Sequence, residues 1–201
     1  MAKHSASSER QRNLWAPWRI EYIQTLSEPG DGCFLCRYAG RPRADRRNLV
    51  LWRSARMLVV LNRFPYTGGH CLIAPLRHAA GLEDLDEREM LELLALVRDV
   101  TKVLAAALGA GGFNIGVNLG RCAGAGLPGH LHVHVVPRWE GDTNFMSVLG
   151  DVRVIPQSLG SLYDLLRQAA RRLRLPGLGA SGGSAAPLSG RGARRRRPKG
   201  K

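Results

Sequence analysis

The chain has 201 residues, enough for one domain of ordinary size with tails, and its hydrophobic content of 44% supplies a core and excludes a wholly disordered chain. Lys and Arg total 30 against 16 acids, a formal charge of +14, and seven of the positive charges fall in residues 191–201, where there is no acid. The remainder is still basic, which suits polyanionic ligands, and the four cysteines (Cys33, Cys36, Cys71 and Cys122) do not form the framework of a secreted disulfide scaffold.

Residues 1–12 are small, polar and charged, and are expected to be a disordered N-terminus. They lack the apolar stretch of a signal peptide, and no apolar run in the chain approaches the roughly 20 residues that span a bilayer. The expectation is a soluble, cytoplasmic protein without a membrane partner. The aromatic run Leu14-Trp15-Ala16-Pro17-Trp18-Arg19-Ile20 is too apolar for a free tail and should dock on the domain. The Cys33-x-x-Cys36 pair follows, then a basic turn over 41–47. Strands are predicted at 48–52, 57–61 and 70–76, the last after the turn Tyr66-Thr67-Gly68-Gly69. Residues 86–108 read as a long helix. Met90, Leu93, Leu94, Val97, Val100, Leu104 and Leu108 fall on one stripe, Asp86 with Glu89 forms a capping-box pattern, and Gly109 stands at the stop position. Two more strands, 112–119 and 131–137, flank a Gly-rich loop, and a second helix is predicted over 161–173. From 175 onward Gly, Ser, Ala and Pro give way to Arg, a composition that cannot bury a core and reads as a disordered basic tail. Strands joined by short connections and interrupted by a helix predict an α+β domain over 13–174 with a mainly antiparallel sheet and its chemistry in 112–139.

Three of the six histidines lie in five residues, His130-Leu131-His132-Val133-His134. In a strand these imidazoles share one face, about 6–7 Å apart at each step, while Leu131, Val133 and Val135 face the core. Such a row either ligates a catalytic metal or contains a nucleophile flanked by groups that orient it and bind phosphate oxygens. The loop from Asn118 to Gly129, with six glycines or alanines in it, can turn main-chain N–H groups toward an anion, so Gly124, Ala125, Gly126 and Asn118 are candidate phosphate donors. No carboxylate follows the triad before Glu140, which disfavours a metal-activated water and favours phosphate chemistry. Cys33-x-x-Cys36 is by itself a redox pair, a zinc half-site or coincidence, and a tetrahedral zinc needs two further ligands.

The His-φ-His-φ-His-φ-φ run at 130–136, with Asn118-x-Gly120 before it and Asn62-Arg63-x-Pro65, Gly69-His70 and Ala74-Pro75-Leu76-Arg77-His78 upstream, resembles the histidine-triad superfamily. The flanks Leu14-Trp15-Ala16-Pro17-Trp18-Arg19 and Pro137-Arg138-Trp139…Asn144-Phe145 are similar to its bacterial diadenosine tetraphosphate phosphorylase branch. The resemblance implies a half-barrel of five antiparallel strands with helices, usually a homodimer. It further implies a nucleotide substrate, with His132 as the nucleophile that carries a nucleotidyl intermediate. His134 and His70 would hold phosphate oxygens or orient His132, Asn118 would contact phosphates, and Asn62 would contact ribose. Zinc-bearing members would place a structural zinc on Cys33, Cys36, His78 and His130. Gly126 stands where phosphorylases of the branch tend to carry Ser, and His134 stands where the hexose-1-phosphate uridylyltransferases carry Gln. The competing readings are a nucleoside phosphoramidase that releases AMP and a zinc-containing protein that binds nucleic acid through its basic tail.

Overall fold

The computed structural model describes residues 32–142, 157–175 and 178. The aromatic segment at 14–20, Asn144-Phe145 and both terminal tails lie outside the described residues, together with the expectations placed on them.

The elements in chain order are α1 (Phe34–Ala39), a 3-10 turn (Pro42–Ala44), β1 (Val50–Arg53), β2 (Met57–Leu61), β3 (Cys71–Pro75), α2 (Glu87–Leu108), β4 (Gly112–Val117), a 3-10 turn (Arg121–Ala123), β5 (Val133–Arg138) and α3 (Leu159–Leu173). The five strands form one sheet in the order β1-β2-β3-β5-β4, and every pairing is antiparallel. This is the expected α+β architecture. The cysteine segment, read from sequence without an element, is a short helix whose N-cap is Cys33, its Sγ accepting from the N–H of Cys36.

Both faces of the sheet are covered. Leu51, Met57, Val59, Leu61, Ile73, Val133 and Val135 meet Leu93, Leu96, Val100, Leu104, Leu162 and Leu166 of α2 and α3. On the other face Val50, Leu58, Val60 and Ala74 meet Leu35, with Phe34 and Tyr38 of α1 packed alongside. β2 and β3 are therefore buried on both sides, which is why they read as the unbroken apolar runs Met-Leu-Val-Val-Leu and Cys-Leu-Ile-Ala-Pro rather than as alternating patterns.

Helix α2 begins with the full capping box, Asp86 accepting from the N–H of Glu89 at 2.7 Å and Glu89 accepting from that of Asp86 at 3.0 Å. It ends at Gly109 in the left-handed conformation, φ +63°. Its buried line differs from the expected stripe. Leu93, Val100 and Leu104 pack inward as expected, but Leu94 is 65% and Met90 41% exposed, and Leu96 and Val103 are buried in their place. Apolar residues cover more than one face of this helix, so periodicity leaves its rotation open and the sheet beneath decides it.

Gly69 shows how tightly the helix seals the sheet. At φ +90°, a Cβ there would lie 2.6 Å from Leu108 Cδ1 and 3.2 Å from both Leu104 Cδ2 and Pro137 Cγ. Gly69→Ala should cost about 2–4 kcal/mol, from backbone strain and overpacking together. Gly109 has a comparable φ of +63° but open space around it, so Gly109→Ala should cost about 1 kcal/mol. Urea midpoints for the two variants test this; equal losses would mean that crowding at Gly69 contributes nothing.

Candidate active site and metal-ligand cluster

β5 starts at Val133, so His130, at a bend, and His132 stand just before it and only His134 lies within the strand. Leu131, Val133 and Val135 enter the helix-side core. The three histidines divide into two groups. His130 joins the cysteines; His132 and His134 join His70.

The second group forms a chain of hydrogen bonds in which one donor determines every tautomer. The N–H of Tyr66 can only donate, and it donates to His70 Nδ1 at 3.2 Å. His70 Nδ1 is thus an acceptor and the ring carries its hydrogen on Nε2, which donates to His134 Nδ1 at 3.0 Å. His134 in turn carries its hydrogen on Nε2, a buried atom with no partner among the described residues. A buried, unpaired N–H is costly unless a ligand accepts from it. Asn62 also donates to His70 Nδ1 from its amide nitrogen at 3.2 Å, while its Oδ1 accepts from the N–H of Phe64. Asn62, expected at the ribose, has its amide turned toward His70. The ring of Tyr66 stacks on His70 at 4.7 Å and on His134 at 6.0 Å, closing the group from the outside. Sequence reasoning missed Tyr66, because the atom that matters most is its main-chain N–H.

His132 lies 4.9 Å from His134 between ring centroids and is 6% exposed. Its Nδ1 donates to the carbonyl of His130 at 2.8 Å. That leaves Nε2 deprotonated, with its lone pair available. Burial pushes His132 below the ordinary imidazole range. It also drives His134 down to about 4 and His70 to about 3, the neighbouring imidazoles adding to the effect. The group is neutral at pH 7. The unfolded chain binds these protons near pH 6.5 and the folded chain does not, so the native state keeps its full advantage above that pH and loses it as the pH falls toward the folded values. For His70, fully buried, the loss should reach about 2 kcal/mol by pH 5. Denaturant unfolding at pH 7, 6 and 5 tests this, and His70→Gln should flatten the dependence; an equally steep curve for the variant would remove His70 as its source.

β4 and β5 pair through Gly116 with His134 and Val117 with Val133, and Asn118 follows directly after the last of these pairs, at the start of the Gly-rich loop. The loop's own N–H groups are partly used: that of Gly124 donates to Arg121 and that of Ala125 to Gly120. The N–H of Gly126 makes no such backbone bond among the described residues. Arg138, a possible phosphate cation, is held by Asp142 and Asn114.

His130 turns to the other group. Its Nδ1 lies 3.0 Å from Cys33 Sγ and 3.4 Å from Cys36 Sγ, and His78 Nδ1 lies 3.2 Å from Cys36 Sγ. One ligand atom from each of the four residues falls within 4.8 Å of the others. Zinc bonds of 2.0–2.3 Å in a tetrahedron put neighbouring S and N ligands roughly 3.5 Å apart, close to this spacing. The other nitrogen of His130 donates to the carbonyl of Pro75 at 3.0 Å, which leaves Nδ1 free to ligate. The two-thiol, two-imidazole set therefore fits a metal ion. Next to His78, Arg77 is anchored by a two-pronged ion pair with Glu89 at 2.8 and 2.7 Å.

The chain is similar to known proteins over much of its length. The HIT domain model matches residues 43–141. AP-4-A phosphorylase of Mycobacterium tuberculosis is 37% identical over 163 residues, 79% of this chain and 84% of that protein. The asymmetrical bis(5'-nucleosyl)-tetraphosphatase of Schizosaccharomyces pombe is 36% identical over 115 residues, 57% of this chain and 63% of that one. Among solved structures, a Zn-bound histidine triad family protein from Mycobacterium smegmatis superposes with a TM-score of 0.59 at 28% identity, covering 71% of this chain and 96% of that one. With similarity to a relative extending over four-fifths of its length, and with the histidine run leading into the last strand in chain order, the chain belongs to the HIT domain family.

Proposed function

We propose that the protein cleaves the α–β phosphoanhydride of a dinucleoside polyphosphate, diadenosine tetraphosphate in particular, through a nucleotidyl group carried on His132. The observation that carries this reading is the pair of ring nitrogens left at the centre of the site. Nε2 of His132 has a lone pair and no proton, and Nε2 of His134 has a hydrogen and no acceptor. The first attacks phosphorus. The second donates to a phosphate oxygen, and His70 with Tyr66 keeps it a donor throughout. The bond from the α-phosphorus to the bridging oxygen breaks, and ATP leaves. A second acceptor then attacks the same phosphorus and returns His132 to its starting state.

Inorganic phosphate is the acceptor we favour, on the similarity to AP-4-A phosphorylase. Asn118 and the N–H of Gly126 are the groups we assign to receive it, with Gly124 and Ala125 shaping the loop. Phosphorolysis yields ATP and ADP, and hydrolysis yields ATP and AMP. Incubation with diadenosine tetraphosphate with and without millimolar phosphate distinguishes them. An unchanged rate with AMP as product would make the enzyme a hydrolase. In that case Gly126→Ser should raise phosphate use if a hydroxyl is the missing donor.

Zinc is the metal we assign to Cys33, Cys36, His78 and His130, on the two-thiolate, two-imidazole donor set. When bound it supplies a structural cross-link between α1, the turn after β3 and the segment leading into β5. The free cysteines suit a reducing compartment such as the cytoplasm. We further propose a homodimer through the edge strand β4, where Asn114, Ile115 and Gly116 are exposed and one row of backbone groups is unpaired. The catalytic domain is taken as 13–174, within which the described elements run from 34 to 173.

A further inference from the structure

Between residues 32 and 82 the chain has nine arginines and a single acid, Asp45. Seven of the arginines sort into two sets. Arg53 pairs with Asp45, Arg46 with Asp164, Arg56 with Glu92 and Arg77 with Glu89. Arg41, Arg43 and Arg47 form no ion pair among the described residues. With Gly40, Pro42 and Ala44 they line an open cleft of about 690 Å³, the volume of a nucleotide site, with no carboxylate among the described residues of its wall. Arg63 reaches the same rim, its guanidinium donating to the carbonyl of Arg47 at 3.2 Å.

The frame beneath these side chains is rigid. The N–H groups of Ala44, Asp45, Asn48, Leu49 and Val50 all bond to carbonyls between Arg41 and Arg46, which winds the turn tightly. Asp45 is clamped by Arg53 at 2.8 and 2.6 Å, and the same guanidinium ties down the carbonyls of Ala39 at 2.9 Å and Tyr38 at 2.6 Å. The one local acid is thus spent inside the frame, and like charges project from a fixed turn, where an anion would relieve their repulsion.

We propose that this cleft is a second anion site, separate from the histidine group, that takes a run of three or more linked phosphates. Several guanidinium groups spread over one cleft match a chain of anionic oxygens, since each engages one or two of them. A single phosphate would leave most of them unmet. Single-stranded nucleic acid fits less well, because no aromatic ring among the described residues lines the cleft for bases to stack on. The site does not depend on the role assigned to His132.

Calorimetric titration of the full chain with inorganic tripolyphosphate, ATP and monophosphate tests the proposal, with Arg41→Gln/Arg43→Gln/Arg47→Gln as the comparison. The basic tail and the histidine site are common to both proteins, so the difference between them isolates the cleft. Wild type should bind one more tripolyphosphate per chain than the variant, or bind it about tenfold more tightly. The melting temperature should be unchanged, because these side chains are exposed and hold no acid. ATP binding as well as tripolyphosphate would identify the phosphate chain as the recognised group; much tighter ATP binding would add the nucleoside to it. Identical isotherms for the two proteins would overturn the proposal, as would monophosphate competing on equal terms. Loss in the variant of single-stranded RNA binding alone, with tripolyphosphate binding intact, would overturn it in favour of nucleic acid.

Discussion

His132→Ala is expected to lower turnover of diadenosine tetraphosphate by on the order of 10⁴-fold or more while the fold survives. No other side chain can substitute for it. His134 and His70 are locked as donors along the Tyr66 chain, and His130 faces the cysteines with its Nδ1. The variant leaves the carbonyl of His130 without its 2.8 Å partner, so a stability loss of about 1–3 kcal/mol should accompany the loss of activity. Nucleotide affinity should change little, because the phosphate donors remain. Rapid-quench trapping of nucleotidylated peptide 130–136 in wild type, and its absence in the variant, reports the step directly. Retention of more than a few per cent of activity at wild-type melting temperature would remove His132 as the nucleophile.

Cys33→Ser should have the largest effect on stability. One zinc per chain is expected in wild type by metal analysis, and the variant should lose it together with several kcal/mol of folding free energy, a melting shift on the order of 10 °C. Without metal, burial pushes the Cys33 thiol up to about 11. Metal binding must therefore displace a proton at neutral pH, and affinity should weaken as the pH falls. A second consequence follows from the double role of His130. Its ring belongs to the ligand cluster and its carbonyl orients His132. The neighbouring N–H of Leu131 is also fixed, on the carbonyl of Ala79 next to His78, at 2.7 Å. Chelation should accordingly reduce kcat more than nucleotide affinity. If carefully prepared protein contains no zinc, and chelators leave its melting temperature unchanged, the cluster holds no structural metal.

The sequence was most informative where the determinant is local. Helix α2, from the Asp86–Glu89 capping box to Gly109, was legible because the first turn and the stop use neighbouring residues. β2 was found at its full bounds, 57–61, since an apolar run between polar turns has few alternatives. The spacing of His130, His132 and His134 left a metal site and a nucleophile open, the Gly-rich loop before it favoured phosphate chemistry, and the resemblance of the motifs pointed to the family. Tertiary structure decided the rest. Cys33 and His130 are 97 residues apart and Cys36 and His78 are 42 apart, so no periodicity could show that they meet. That His130 meets the cysteines while His134 meets His70 depends on α1 packing across one face of the sheet. The rotation of α2 was also undetermined, because its apolar residues outnumber those the sheet can bury. The tautomers of His70 and His134 trace to one main-chain N–H at Tyr66, a group every residue but proline possesses, and only its position in the folded chain makes it a determinant of the chemistry.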